Sequence, residues 1–203
     1  YGYQQETPFR EDFNPRPLSP YAVTKYAGEL YAIKKYYQEK YPIVILRPFN
    51  NFGPYQSEKA IIPEIMTNCL LGKEVKSTEG NQTREFNYVS NIIDGFILAA
   101  EKENIIGEII NLGSGQDISI KDLVAMIHKL TNSNSKLSIG ALEYRPTEIW
   151  RMFCDNKKAK FFLGWEPKIS FEDGLKNTIE WYKKHIELYY KENSDLHVLA
   201  DSE

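Results

Sequence analysis

The chain has 203 residues, of which 42% are hydrophobic and 26% charged, with a net charge of −3. That balance fits a folded globular chain and leaves no basic footprint, so nucleic acid is not expected as a partner. No apolar run approaches the ~20 residues that span a bilayer. The two cysteines, Cys69 and Cys154, give neither a metal-ligand spacing nor a small disulfide framework, so the expected setting is reducing and cytoplasmic, with no metal site.

Residues 1–19 carry Pro8, Pro15 and Pro17 without any period and read as an extended loop. A helix follows from Pro20 to Lys40, with proline in the first turn, where its missing N–H has no partner to lose. Ala22, Tyr26, Leu30 and Ile33 form its apolar face, opposite Lys34, Lys35, Glu39 and Lys40. Gly28 costs such a helix about 1 kcal/mol relative to alanine, which points to close backbone packing there. Tyr21 and Lys25 lie four apart and share a face, with Cβ atoms roughly 5–6 Å apart. A phenol ordinarily loses its proton near pH ~10, and an adjacent ammonium lowers that by about 1–3 units. Such a pair takes a proton from a hydroxyl near neutral pH. On spacing alone Tyr-x-x-x-Lys also describes any amphipathic helix start, so its context decides.

The apolar run Ile43–Leu46 has the character of a strand buried on both faces of a parallel sheet. The polar loop after it, Arg47 to Lys59, falls at the carboxyl end of that strand, where such sheets bind ligands. A helix is expected from Ala60 to Leu71, closed by Gly72, and then a strand from Val75 to Thr78. A turn over 79–82 leads to a strand from Arg84 to Val89. Asn91 is positioned to cap a helix reaching Lys102. Glu108–Leu112 reads as a strand. The Gly113-Ser114-Gly115 turn after it lacks the third glycine of a dinucleotide fingerprint, and is taken as a plain turn. Ser119 and Asp122 open a helix to about Thr131, and Lys136–Ile139 forms a strand. His128, His185 and His197 have no metal-spaced partners and are expected to be structural. Asp155 caps a short helix ending at Leu163, stopped by Gly164 and Pro167. The last helix opens at Ser170–Asp173 and turns Leu175, Ile179, Tyr182 and Ile186 to one face. Beyond about Glu192 the sequence is polar and irregular, as in a mobile tail.

Five landmarks occur in order: Ser19-Pro20-Tyr21-Ala22-Val23-Thr24-Lys25; Arg47-Pro48-Phe49-Asn50-Asn51-Phe52-Gly53-Pro54; Thr83-Arg84-Glu85-Phe86-Asn87-Tyr88-Val89; Asn111-Leu112-Gly113-Ser114-Gly115; and Arg145-Pro146-Thr147-Glu148 with Leu163-Gly164-Trp165-Glu166-Pro167. From Tyr1 to about Tyr190 the chain resembles the extended short-chain dehydrogenase/reductase family, the NAD-dependent nucleotide-sugar epimerases and dehydratases. Relatives begin with a Rossmann half bearing the glycine fingerprint, well ahead of the Tyr/Lys pair, so this chain looks like the second half of such a protein.

The resemblance implies an α/β fold, the C-terminal part of a Rossmann-type parallel sheet interleaved with a smaller α/β substrate-binding lobe. Residues 1–55 would belong to the dinucleotide-binding domain and 56–192 mainly to the substrate lobe. Helix 91–102 would return to the Rossmann sheet, and 193–203 would form a tail. It implies NAD or NADP as cofactor, a nucleotide-diphosphate sugar as substrate, and a homodimer through the first helix. Tyr21 and Lys25 would be the catalytic pair and, with Pro48, would touch the nicotinamide end of the cofactor. Asn50, Arg84 and Arg145 would bind the sugar nucleotide. Many relatives carry Arg-x-Gly-Asp where this chain has Arg145-Pro146-Thr147-Glu148, which makes Glu148 a weaker candidate than Arg145. The implied reaction is 4,6-dehydration through a 4-keto sugar, with 4-epimerisation as the alternative. Asn50-Asn51-Phe52-Gly53-Pro54-Tyr55-Gln56 is similar to the dehydratase subgroup. A reading of another class remains, a truncated, non-catalytic sugar-nucleotide-binding fragment.

Overall fold

A computed structural model describes residues 1–189. His197 and the polar tail lie outside the described residues. The first helix, α1 (Pro20–Glu39), begins where the sequence says it should: the Ser19 hydroxyl accepts from Ala22 N, and Lys40 ends it in the left-handed region at φ 58°. It buries none of its residues. Two expectations about it are corrected. Leu30 is 49% exposed, and Glu29 takes its place on the docked side. Open space, with no atom within 4 Å, surrounds the point where a Cβ at Gly28 would sit.

Strand β1 (Ile45–Pro48) lies two residues later than the apolar run and pairs in parallel with β6 (Ile109–Leu112), Ile45 opposite Ile109 and Pro48 opposite Leu112. The ladder continues through Arg47, and Pro48 is tolerated because it ends the strand. After it come β2 (Asn51–Phe52), α2 (Ile61–Leu70) and β3 (Val75–Ser77). The expected strand 84–89 is two short pieces, β4 (Thr83–Arg84) and β5 (Asn87–Tyr88), because the Glu85 side chain turns inward between them. Helix α3 (Val89–Ala100) starts two residues before Asn91, so Asn91 is not its cap. Its buried amide instead donates to Ile169 O (2.8 Å) and accepts from the N–H groups of Lys168 and Ile169 (3.0 Å each).

Then follow β7 (Ile118–Ser119), α4 (Ile120–Leu130), β8 (Leu137–Ile139), β9 (Arg151–Met152) and α5 (Phe171–Lys184). The short helix expected after Asp155 forms and ends at Leu163 with Gly164 in the left-handed region at φ 65°, its last five residues, Ala159–Leu163, wound as a π-helix. Asp155 receives the N–H of Lys157 (2.9 Å) just ahead of it. Ile186 falls in a separate short 3₁₀ turn, off the end of α5. Parallel pairs β2–β5 and β3–β8 and the order β7–β4–β9 complete an α/β arrangement.

Two main cores form. One joins α2, α4 and α5 through Ile62, Met66, Leu123, Ile127, Leu175 and Tyr182. The other joins α3 and β6 to the 159–165 segment through Ile92, Ile110, Leu112 and Trp165. Gly95 lets α3 close on β6: a Cβ there would meet Leu112 at 2.9 Å and the Trp165 indole nitrogen at 3.2 Å.

Candidate active site

The segment 50–56 leaves β1 at its carboxyl end and pairs through β2 with β5, while the turn at 145–148 is held to Arg84 of β4 by Glu148. Together they enclose a cleft of about 370 Å³ whose lining includes Asn50, Arg84 and Arg145. These residues are up to 95 positions apart in sequence (145 − 50 = 95). Glu64, Lys76 and Glu148 line the same space.

Hydrogen bonds hold the Asn50 and Arg84 side chains and the Arg145 backbone in place. The Asn50 amide donates to Glu85 O (2.9 Å), which leaves its side-chain carbonyl available. Arg84 donates through Nη1 to Thr83 O (2.7 Å) and to Ile149 O, and through Nη2 to the Glu148 carboxylate. Arg145 heads a turn closed by Glu148 N donating to its carbonyl (3.1 Å), with Pro146 in the second position that favours such turns.

Behind β4 lies Glu85, fully buried. One carboxylate oxygen accepts from Cys154 N (2.8 Å), the other from Gly115 N (3.1 Å) and the Ser114 hydroxyl (3.2 Å). Burial pushes its carboxyl above the usual range, against the pull of these donors. Gly113 has to be glycine: a Cβ there would stand 2.2 Å from the Glu85 carboxylate. The amide hydrogens of Ser114 and Gly115 are thus spent on Asn87 and Glu85 rather than left to cradle a phosphate. Sequence reasoning passed over Glu85, since a carboxylate inside a strand-like hexapeptide looks like a solvated edge. Only the distant 113–115 and 154 segments show what it holds.

Tyr21 and Lys25 do not line the cleft. Tyr21 is 73% exposed, and Lys25 and Pro48 are exposed as well. Helix α1 is tied to the end of β1 by a fork-to-fork pair, Arg47 Nε and Nη2 to Glu29 at 2.9 and 2.5 Å. The Arg47 guanidinium also lies 4.6 Å from the centre of the Tyr1 ring, whose hydroxyl donates to Asn111 (2.6 Å). Burial raises the Tyr1 phenol to about 12. Of the histidines, His128 bonds Ser135 O (3.1 Å) and His185 bonds Trp181 O (2.8 Å) while stacking on that indole, both structural arrangements. Among the described residues no helix is long and apolar enough to cross a membrane.

A family model described as GDP-mannose 4,6 dehydratase matches residues 1–178. A dTDP-D-glucose 4,6-dehydratase of Bos taurus is 34% identical over 194 residues, covering 92% of this chain and 54% of that protein. Among solved structures, an epimerase of Methanothermobacter thermautotrophicus superposes with a TM-score of 0.87 at 31% identity, over 93% of this chain and 57% of that one. A UDP-glucuronic acid 4-epimerase from Bacillus cereus, solved with UDP-glucuronic acid and NAD, gives 0.84 at 33% identity, over 90% and 58%. The chain spans about half the length of the curated relatives it matches. It belongs to the GDP-mannose 4,6 dehydratase family, among the nucleotide-sugar epimerases and dehydratases of the extended short-chain dehydrogenase/reductase type.

Proposed function

We propose that this chain is the sugar-nucleotide-binding and catalytic part of an NAD-dependent nucleotide-sugar 4,6-dehydratase, with a 4-epimerase as the alternative. One observation carries the reading: Asn50, Arg84 and Arg145, from three separate segments, line one cleft. Two guanidinium forks and an amide suit a diphosphate and its attached sugar. Tyr21 Oη takes the proton of the sugar 4-hydroxyl. Lys25, one helical turn on, would hold the nicotinamide ribose beside it. NAD, when bound, accepts the hydride from C4. Tyr21, Lys25 and the exposed Pro48 suit the nicotinamide end of that cofactor, while the Ser114 and Gly115 N–H groups are already taken by Asn87 and Glu85.

The 4-keto sugar is common to both reactions. We favour dehydration on the 50–56 segment, whose order of residues resembles that subgroup. We assign residues 1–55, with α3, to the dinucleotide-binding domain and the remainder of 56–192 to the sugar-nucleotide lobe. The packing of α3 on β6, the strand that pairs with β1, supports returning α3 to that domain, and the sharing of this core by β6 and the 159–165 segment means that the chain crosses between the two parts more than once. Val23, Leu30, Tyr31 and Tyr37, exposed on α1, support a homodimer through that helix, and two free buried thiols accord with a reducing, cytoplasmic setting.

A non-catalytic sugar-nucleotide-binding unit is favoured by one contrast, the walled cleft against the uncovered Tyr21. Calorimetry with UDP-glucose and dTDP-glucose tests the proposal. Binding to the chain is expected, and Arg84→Ala should weaken it about ten-fold or more. Absence of binding, or binding that Arg84→Ala leaves unchanged, overturns the assignment of the cleft. Binding without turnover when NAD and the dinucleotide-binding half are supplied establishes the non-catalytic reading.

A further inference from the structure

We infer that Glu148 is the positioning residue of the cleft, setting Arg84 and Arg145 at the separation a diphosphate requires; this rests on the assignment of the cleft to a sugar nucleotide. The cleft lining holds three cations, Arg84, Arg145 and Lys76, and three carboxylates, Glu64, Glu143 and Glu148. By charge alone such a lining is no anion site. What distinguishes it is how the charges are joined.

Glu148 has two attachments. Its carboxylate receives Arg84 Nη2, and both side chains are largely withdrawn from water, at 12% and 18% exposure. Its backbone N–H closes the 145–148 turn onto Arg145 O (3.1 Å), and Pro146 stiffens that turn by fixing its own φ. The neighbouring Ile149 carbonyl takes Arg84 Nη1, and Trp150 O receives Thr83 N (2.8 Å), which extends the contact into the β4–β9 pairing. One acidic residue therefore joins the Arg84 guanidinium, through its side chain, to the Arg145 backbone, through its N–H.

The same contacts leave part of the Arg84 fork unspent. Nη1 makes two hydrogen bonds and Nη2 one. Nε–H and the second Nη2 hydrogen have no partner among the described residues, and an arginine presents donors of this kind to phosphate oxygens. With the Glu148 carboxylate removed, Nη2 loses its only partner among the described residues, and the 145–148 turn keeps β4 only through the Ile149 and Trp150 carbonyls just beyond it.

This assignment makes a prediction whose sign opposes simple electrostatics. Deleting a carboxylate from an anion site should tighten anion binding if Glu148 only repels. If it positions the arginines, deletion weakens binding. The measurement is calorimetric titration of the chain with UDP and with dTDP, for wild type, Glu148→Ala and Glu148→Gln, with the melting temperature of each. Glutamine keeps a carbonyl acceptor for Arg84 without the charge.

We expect Glu148→Ala to weaken binding about ten-fold or more and Glu148→Gln to stay within about three-fold of wild type, a rescue that a merely repulsive carboxylate would not give. Equal or tighter binding by Glu148→Ala overturns the inference while the cleft assignment stands. So does a loss in Glu148→Gln as large as in Glu148→Ala, because the rescue is then absent. Failure of the wild type to bind either diphosphate brings down the cleft assignment itself, and this inference with it. Should Glu148→Ala melt at a markedly lower temperature, Glu148→Gln alone decides: binding tighter than wild type overturns the inference, and binding within about three-fold supports it.

Discussion

Arg84 is fastened on three sides by Thr83, Glu148 and Ile149, whereas Tyr21 and Lys25 stand on a helix that buries none of its residues. The first arrangement is preorganised: the cost of ordering the guanidinium is met when the chain folds, not when an anion arrives. The second leaves the Tyr21 side chain in water. The Glu29–Arg47 fork places α1 relative to β1, and the far side of the helix stays open. The cleft is lined by residues of this chain, whereas Tyr21 and Lys25 are exposed. For a chain that spans about half of its curated relatives, such a contrast is what a division of labour between two halves would produce.

The largest effect should fall on the open side. In the NAD-bearing protein, Tyr21→Phe is expected to lower turnover about 100- to 10,000-fold, because the proton acceptor is lost. Folding should change by less than about 0.5 kcal/mol, since the side chain is 73% exposed. Steady-state turnover and a denaturation curve on the same sample check both halves of this statement, and turnover that survives would remove Tyr21 from the chemistry. Stability should show the reverse pattern. Leu123→Ala, in the fully buried α2–α4–α5 core, is expected to cost about 2–5 kcal/mol in urea unfolding. Leu30→Ala on α1 should cost less than about 0.5 kcal/mol. A large cost for Leu30→Ala would show that this face is packed in solution and erase the contrast.

What was legible in the sequence follows the same boundary between local and distant causes. The start of α1 was readable from Pro20, whose fixed φ and missing N–H act within one turn, and Ser19 and Lys40 cap its two ends by contacts just as local. Ser119 and Ser170 cap α4 and α5 by the same local rule, each accepting from the N–H three residues on. Arg84 and Arg145 were recognisable as residues, yet the Glu148 link between them was not, since it depends on a fold-back across 64 positions. The break in the expected 84–89 strand has a similar origin. Cys154 N, Gly115 N and the Ser114 hydroxyl converge on Glu85 from far along the chain, and period-2 patterning carries no trace of them. Asn91 looked like a cap because asparagine before an apolar run usually is one; its amide is taken instead by the 168–169 backbone. Gly28 signalled a close neighbour, but this structure leaves that space open.

Two carboxylates flanking the 113–118 loop sharpen the comparison at its smallest scale. Glu85 is raised by burial, so its contribution to stability is full below its unfolded value and is lost as pH rises through the folded one. Asp117 runs the other way. The Arg151 guanidinium, donating from Nε (2.8 Å) and Nη2 (3.2 Å), holds its carboxyl below the usual range, helped by the Thr83 hydroxyl at 2.5 Å. Its contribution is present above an unfolded value of about 3.9 and is lost as pH falls through the lowered folded one. Because Arg151 is 57% exposed, water screens the pair, and the contribution should not exceed about 1 kcal/mol. Unfolding free energies of wild type and Asp117→Asn, measured from pH 7 down to pH 3, should therefore differ by up to that amount at neutral pH and converge toward the acid end. A gap that stays constant over the whole range would mean that the loop is held by its hydrogen bonds alone. In that case Asp117 positions β4 beside β9 through its shape, with no help from its charge.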